Sequence, residues 1–211
     1  MLHLGPDELA AHYRKATRHL AKRDATLKKM IAAVGPCKLQ PAPDHFRILA
    51  RSIISQQIST KAAASIADRL MEVLGKSNLT PKGILNLSDE QMRAAGLSAA
   101  KVRYLRDLAA HVDGRILRLR ALRRLEDEEV IEQLIQVKGI GRWTAEMFLM
   151  FSLGRPDVLP IDDLGFRSAV KRHYLLEEMP KRDALIELAE CWRPYRSIAT
   201  WYLWRSLALP Q

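Results

Sequence analysis

Two adjacent carboxylates, Asp162 and Asp163, and a closely spaced glycine pair, Gly139 and Gly141, are the residues of this chain best suited to chemistry. The glycines belong to Val137-Lys138-Gly139-Ile140-Gly141, a tight break between two apolar helical patterns. Glycine reaches backbone angles closed to other residues and lets a ligand approach the main chain. The first amides of the following helix lack intrahelical partners and point outward. Together they form an anion site suited to a phosphate, and Lys138 and Arg142 add positive charge beside it. Such a contact grips a nucleic-acid strand without reading its sequence.

Asp162 and Asp163 end a loop made extended by Pro156 and Pro160 and precede a helical pattern that starts at Leu164. One of the two is expected to cap that helix. A carboxylate close to phosphate is repelled by it. That cost makes sense if the carboxylate stabilises a cation formed during a reaction.

The rest of the chain supplies the setting. Lys and Arg number 34 against 24 Asp and Glu over 211 residues, a formal charge of +10 that favours a polyanionic partner. Hydrophobic residues at 48% and charged residues at 27% exclude a disordered chain. Two distant cysteines, Cys37 and Cys191, argue against a disulfide framework, an iron–sulfur cluster and a cysteine-based zinc site. The six histidines, His3 among them, contain no tight pair with metal-ligand spacing. The first twenty residues carry charges throughout, so no secretory signal is expected. The apolar run Met147 to Phe151 is too short to span a bilayer. A soluble intracellular protein is expected.

Periodicity predicts helices almost everywhere and no strand. Residues 7–34 read as one or two basic helices ending at Gly35-Pro36, and residues 38–44 as a linker. Phe46, Leu49, Ile53 and Ile54 mark a helix from Asp44 to about Ser55. A polar break, SQQIST, precedes a helix capped by Ser59 or Thr60 that runs to Leu74. A loop with Gly75, Asn78 and Pro81 leads to short helices. Ser88 and Gln91 form a capping-box pattern, Gly96 stops that helix and Ser98 starts another. Residues 115–124 hold five arginines and read as a solvated face or loop. Asp127, Glu128 and Glu129 suit a first helical turn, and Val130, Ile131, Leu134 and Ile135 give that helix one apolar face.

The run LIQVKGIGRWTA (134–145), followed by a proline-containing loop that ends in Asp, resembles the signature of the helix–hairpin–helix (HhH-GPD) DNA glycosylase superfamily. Further similar pieces are RSIISQQISTKAAASI (51–66), AAGLSAAKVRYLRDLA (94–109) and WRPYRSIATWYLW (192–204). The resemblance runs from about Asp44 to the C-terminus and is strongest to the 3-methyladenine DNA glycosylase II type, which excises alkylated bases. It implies an all-α fold of two helical lobes, with the hairpin and an active-site cleft between them. The lobes would be residues 1–43 plus 153–211, and residues 44–152 carrying the hairpin at about 127–151. The β-rich N-terminal domain usual in that branch is not expected, because residues 1–43 are few and helical in pattern.

The resemblance also assigns roles. It places the catalytic carboxylate at Asp163, with Asp162 as fallback and as the better candidate for a structural partner. It implies strand contact by Lys138, Gly139, Ile140, Gly141, Arg142 and Thr144. The intercalating residue maps to Gln57, with Gln56 and Ser59 beside it, and Gln57 departs from the apolar wedges often found there. Trp143 and Trp204 match pocket aromatics, and Trp201 and Tyr202 are further candidates, although part of that cluster is expected to be helix core. The family tyrosine four residues past Trp143 is Met147 here, so a more open pocket is implied. Carbonyls of Ile135, Val137 and Ile140 match those that often hold a structural metal ion. No cofactor for catalysis is implied.

A bifunctional branch carries a lysine two residues past the last hairpin glycine. Trp143 stands there and cannot form a Schiff base, so a monofunctional enzyme acting with water is implied. The expected partner is double-stranded DNA with alkylated bases, bound by a monomer and not at a membrane. In a bacterium the protein would be cytoplasmic and nucleoid-associated. Two other readings stay open: a non-catalytic helix–hairpin–helix DNA-binding module, and a glycosylase for another damaged or mismatched base.

Overall fold

The computed structural model describes residues 5–75 and 79–209. His3 and the loop residue Asn78 lie outside the described residues. Among the described residues the chain forms helices and no strand. In order these are α1 (Pro6–Arg23), α2 (Ala25–Val34), α3 (His45–Ser55), α4 (Thr60–Leu74), α5 (Pro81–Asn86), α6 (Asp89–Ala94), α7 (Ala99–Asp113), α8 (Asp127–Leu134), α9 (Arg142–Phe151), α10 (Leu164–His173), α11 (Arg182–Glu190) and α12 (Arg196–Ser206), with a 3-10 turn at Leu122–Arg124. No described helix is long and apolar enough to cross a membrane.

Side-chain caps set many of the starts. Asp24 accepts the N–H groups of Thr26 and Leu27, Ser59 that of Ala62, and Ser98 that of Lys101. Ser88 and Gln91 form a reciprocal box around α6. Each cap satisfies a donor that the first helical turn leaves without a partner.

The chain divides into two compact units, Met1–Pro41 with Leu149–Gln211, and Ala42–Phe148. The second boundary therefore falls inside α9 rather than after it. Side-chain partners explain this. Phe148 meets His45 of α3 edge-on, whereas Phe151, one turn on, stacks against Trp204 of α12.

The first unit packs α1, α2, α10, α11 and α12 around Leu20, Leu27, Phe166, Trp192 and Tyr202. Asp24 ties this core together, because its second oxygen accepts both the Tyr174 hydroxyl and the Trp192 indole N–H. A buried carboxylate with donors on both oxygens avoids the cost of burial without partners. The second unit contains α3 to α8 and the start of α9. In the arginine-rich stretch Leu117, Leu119 and Leu122 are buried and all five arginines are exposed. Ile135 departs from its expected place on the apolar face of α8. The helix ends at Leu134, and Ile135 is 44% exposed.

Candidate active site

Asp163 is the N-cap of α10. Its Oδ1 accepts the Phe166 N–H at 2.6 Å and the Trp204 indole N–H at 2.7 Å. The cap is therefore the proposed catalytic carboxylate itself, which corrects the expectation that Asp162 would be the structural partner. Asp162 is exposed, with Arg182 3.8 Å away.

Trp204 is held from two sides. Phe151 stacks on it with ring centroids 5.9 Å apart, and Asp163 accepts its N–H. Gly165 leaves room for both. A Cβ there would lie 3.2 Å from Asp163 Oδ1 and 3.3 Å from Trp204 Cδ1 and Nε1. The loop before Asp163 is in turn tied to the start of α12. Arg196 binds Asp157 through Nε at 2.8 Å, and Arg193 reaches the same carboxylate at 2.9 Å. Ser197 donates its N–H to Pro156 and accepts that of Val158. Arg193 and Arg196 thus hold the loop.

The other aromatics of α12 separate by burial. Tyr202 was a pocket candidate but lies within the core and donates its hydroxyl to the Gly35 carbonyl at 2.9 Å. Trp201 packs at the edge of that core, perpendicular to Tyr202 at 4.9 Å.

The hairpin belongs to the second unit. It is closed by Val137 N–H to Leu134 O (3.1 Å) and Ile140 N–H to Val137 O (3.0 Å). Gly139 has φ +83, and a Cβ there would lie 2.3 Å from Tyr104 Cδ2, so both backbone angle and packing require glycine. Gly141 corrects the symmetrical expectation. Its φ is not positive, and a Cβ would meet nothing within 4 Å, so space rather than strain is found there.

The candidate strand contacts also separate. The Lys138 side chain is exposed, 3.9 Å from Asp107 Oδ1, but its amide donates to Asp107 Oδ2 at 2.8 Å. Arg142 pairs with Glu128 and reaches Glu146 Oε1 at 3.2 Å, so its charge braces the hairpin instead of standing beside it. The hydrogen bonds from Arg142 hold the Glu128 carboxyl below its ordinary range. Thr144 is buried, as are Ile140 and Met147. Trp143 is 43% exposed on the same helix.

In the turn between α3 and α4, Gln56 donates to the Gly139 carbonyl at 2.7 Å and Ser59 caps α4. Both residues expected at the strand thus have a partner within the protein. Gln57 is exposed at the tip, with φ +57. Sequence reasoning missed Gly165, Phe151, Asp157, Tyr104 and Asp107. A glycine two residues after the acid pair was the one local signal available; the others act through contacts distant in sequence.

The model of the HhH-GPD superfamily base excision DNA repair proteins matches residues 50–194. This chain belongs to the HhH-GPD superfamily. The HhH-GPD match takes in the turn, the hairpin and Asp163 together. DNA-3-methyladenine glycosylase 1 of Schizosaccharomyces pombe is 36% identical over 96% of this chain and 91% of its own length. The solved complex of the Schizosaccharomyces pombe 3-methyladenine DNA glycosylase with abasic DNA superposes with a TM-score of 0.82, over 92% of this chain and 97% of that one. A DNA-3-methyladenine glycosidase from Bacillus halodurans gives 0.82 at 37% identity, over 92% and 89%.

Proposed function

We propose that this HhH-GPD protein is a monofunctional DNA glycosylase that flips alkylated, cationic purines such as 3-methyladenine out of double-stranded DNA and excises them. The observation that carries the reading is the fixed pair of Asp163 and Trp204. A carboxylate and an indole ring are locked together by one hydrogen bond, at the two residues that the resemblance assigns as acid and pocket aromatic.

Alkylation gives the purine a positive charge and makes it a good leaving group. An aromatic face attracts such a base, by about 0.5–2 kcal/mol per contact. As the C1′–N bond breaks, the bonding electrons leave with the base and cancel its charge. The sugar takes on oxocarbenium character, which the Asp163 carboxylate stabilises. Water then bonds to C1′, its proton passes to Asp163 or to solvent, and an abasic site remains. No general acid is needed for a leaving group already charged. Trp143, in place of a lysine, offers no amine for a Schiff base.

The hairpin, with exposed Lys138 and the first amides of α9, grips the phosphate backbone, and Gln57 fills the gap left by the base. Carbonyls of Ile135, Val137 and Ile140 suit a hard cation that takes oxygen ligands, and that of Val137 also accepts the Ile140 N–H. The ion would stiffen the hairpin. Among the described residues no group of His, Cys, Asp and Glu is placed to hold a metal ion, and the proposed reaction uses no cofactor.

The test is abasic-site release from methylated duplex DNA. Wild type should release base, and Asp163→Asn, which retains a capping oxygen, should be slower by about 10²–10³-fold with DNA affinity maintained. If both proteins bind DNA and neither releases base, the protein is a binding module.

A further inference from the structure

The turn that carries Gln57 is held in place from two directions. Its tip residue has φ +57 although it is not glycine, a conformation that persists only where surrounding structure enforces it. The end of α3 shows how. A helix leaves its last carbonyls without intrahelical partners. Here the Ser52 carbonyl accepts the Ser55 hydroxyl, that of Ile53 accepts the Gln56 N–H, and that of Ile54 accepts the Lys101 ammonium at 2.7 Å. Lys101 sits on α7, 47 residues away, and is only 9% exposed, an unusual place for lysine. Desolvation lowers its affinity for a proton, so the buried ammonium carries a cost that its carbonyl partner must offset. On the other side of the turn, the Gln56 amide donates to the Gly139 carbonyl at 2.7 Å, at the one hairpin residue fixed by both its angle and Tyr104.

We propose that Lys101 and Gln56 are positioning residues that hold the turn at Gln57 rigid, so that Gln57 enters the base stack as a preformed wedge. The inference rests on the glycosylase reading above and concerns a separate step, extrusion of the base rather than cleavage of its bond. Lys101 fixes the end of α3 from which the turn leaves. Gln56 fastens the same turn to the hairpin, so that the wedge and the strand-gripping backbone move as one. Preorganisation of this kind removes an ordering cost at the moment of flipping.

The experiment compares excision of one alkylated purine in two settings under single-turnover conditions. In the first the lesion is paired within a duplex. In the second it sits in a one-nucleotide bulge and needs little extrusion. Wild type should act on both; failure on both refutes the glycosylase reading and not this inference alone. Gln56→Met and Lys101→Met should each slow excision from the paired site by about 10-fold or more and from the bulge by less than about 2-fold. Equal slowing on both substrates, or none on either, overturns the proposal. If Lys101→Met does not fold, Gln56→Met decides alone. A cycle with Gln57→Gly adds a readout that general loss of stability would not move. Gln56→Met should cost nothing further once the wedge is gone, and an undiminished cost there also overturns the proposal.

Discussion

Trp204 donates its indole N–H to Asp163 Oδ1 at 2.7 Å, over the space that Gly165 leaves by having no side chain. Asp163 also caps α10, so one carboxylate joins the start of one helix to the last turn of another. An ordinary capping interaction thereby fixes a group proposed for chemistry.

Trp204→Phe tests that link. The variant keeps an aromatic face and loses the N–H. Excision of an alkylated purine should fall about 10- to 30-fold, the loss expected for one hydrogen bond to a charged group, ~1.5–2 kcal/mol. Single-turnover rates at saturating protein measure it, and an unchanged rate removes the hydrogen bond from the mechanism.

Gly165→Ala should separate activity from stability. Alanine favours a helix over glycine by up to ~1 kcal/mol, and the added Cβ displaces Asp163 or Trp204 by a few tenths of an ångström. Excision should slow by about 3- to 10-fold while the urea midpoint stays level or rises. A variant as fast as wild type shows that the pair tolerates the shift.

At the hairpin, Gly139→Ala should destabilise the second unit by about 2–4 kcal/mol, from a clash with Tyr104 added to an unfavourable φ. Adding Tyr104→Ala should recover the steric part and leave about 1–2 kcal/mol of backbone cost. Urea denaturation of the two single variants and the double variant completes the cycle. Independent, additive losses would contradict the packing seen here.

Lys138 and Arg142 should differ in salt response. Lys138→Ala is expected to flatten the dependence of log K on log salt by about 0.9, one phosphate contact, with stability unchanged. Arg142→Ala, which breaks pairs with Glu128 and Glu146, should lower stability and leave the slope close to wild type. DNA binding from 50 to 200 mM salt reads both, and equal slopes for wild type and Lys138→Ala would take Lys138 off the phosphate.

Glu128 should confer a pH dependence on stability. Hydrogen bonding to Arg142 lowers its folded-state pKa below the ordinary 4.5. The folded state then favours the ionised form, so the stabilisation is complete above pH 4.5 and lost as pH falls through the lower folded value. The pair is largely exposed, so about 0.2–1 kcal/mol is at stake. Glu128→Gln should be less stable than wild type at pH 7 and nearly equal to it at low pH. A difference that persists in acid would assign the effect to packing.

What the sequence determined by itself is local. Caps at Ser59, Ser88 and Ser98, the glycine break at 139–141 and the apolar spacing of α3 and α8 depend on neighbours within a few residues, which the chain displays directly. The likeness in residues 134–145 and the acid that follows the proline loop likewise needed only order and spacing. Tertiary structure decided which side chains do what. Tyr202 and Trp204 lie two residues apart on α12, yet one is core and the other meets Asp163, because helical neighbours face different directions and only packing tells them apart. Arg142 reads as a free cation until Glu128 and Glu146 are brought beside it. Gln56, Lys101, Asp107 and Tyr104 act on residues 31 to 83 positions away or across the fold, and no periodicity records such a contact.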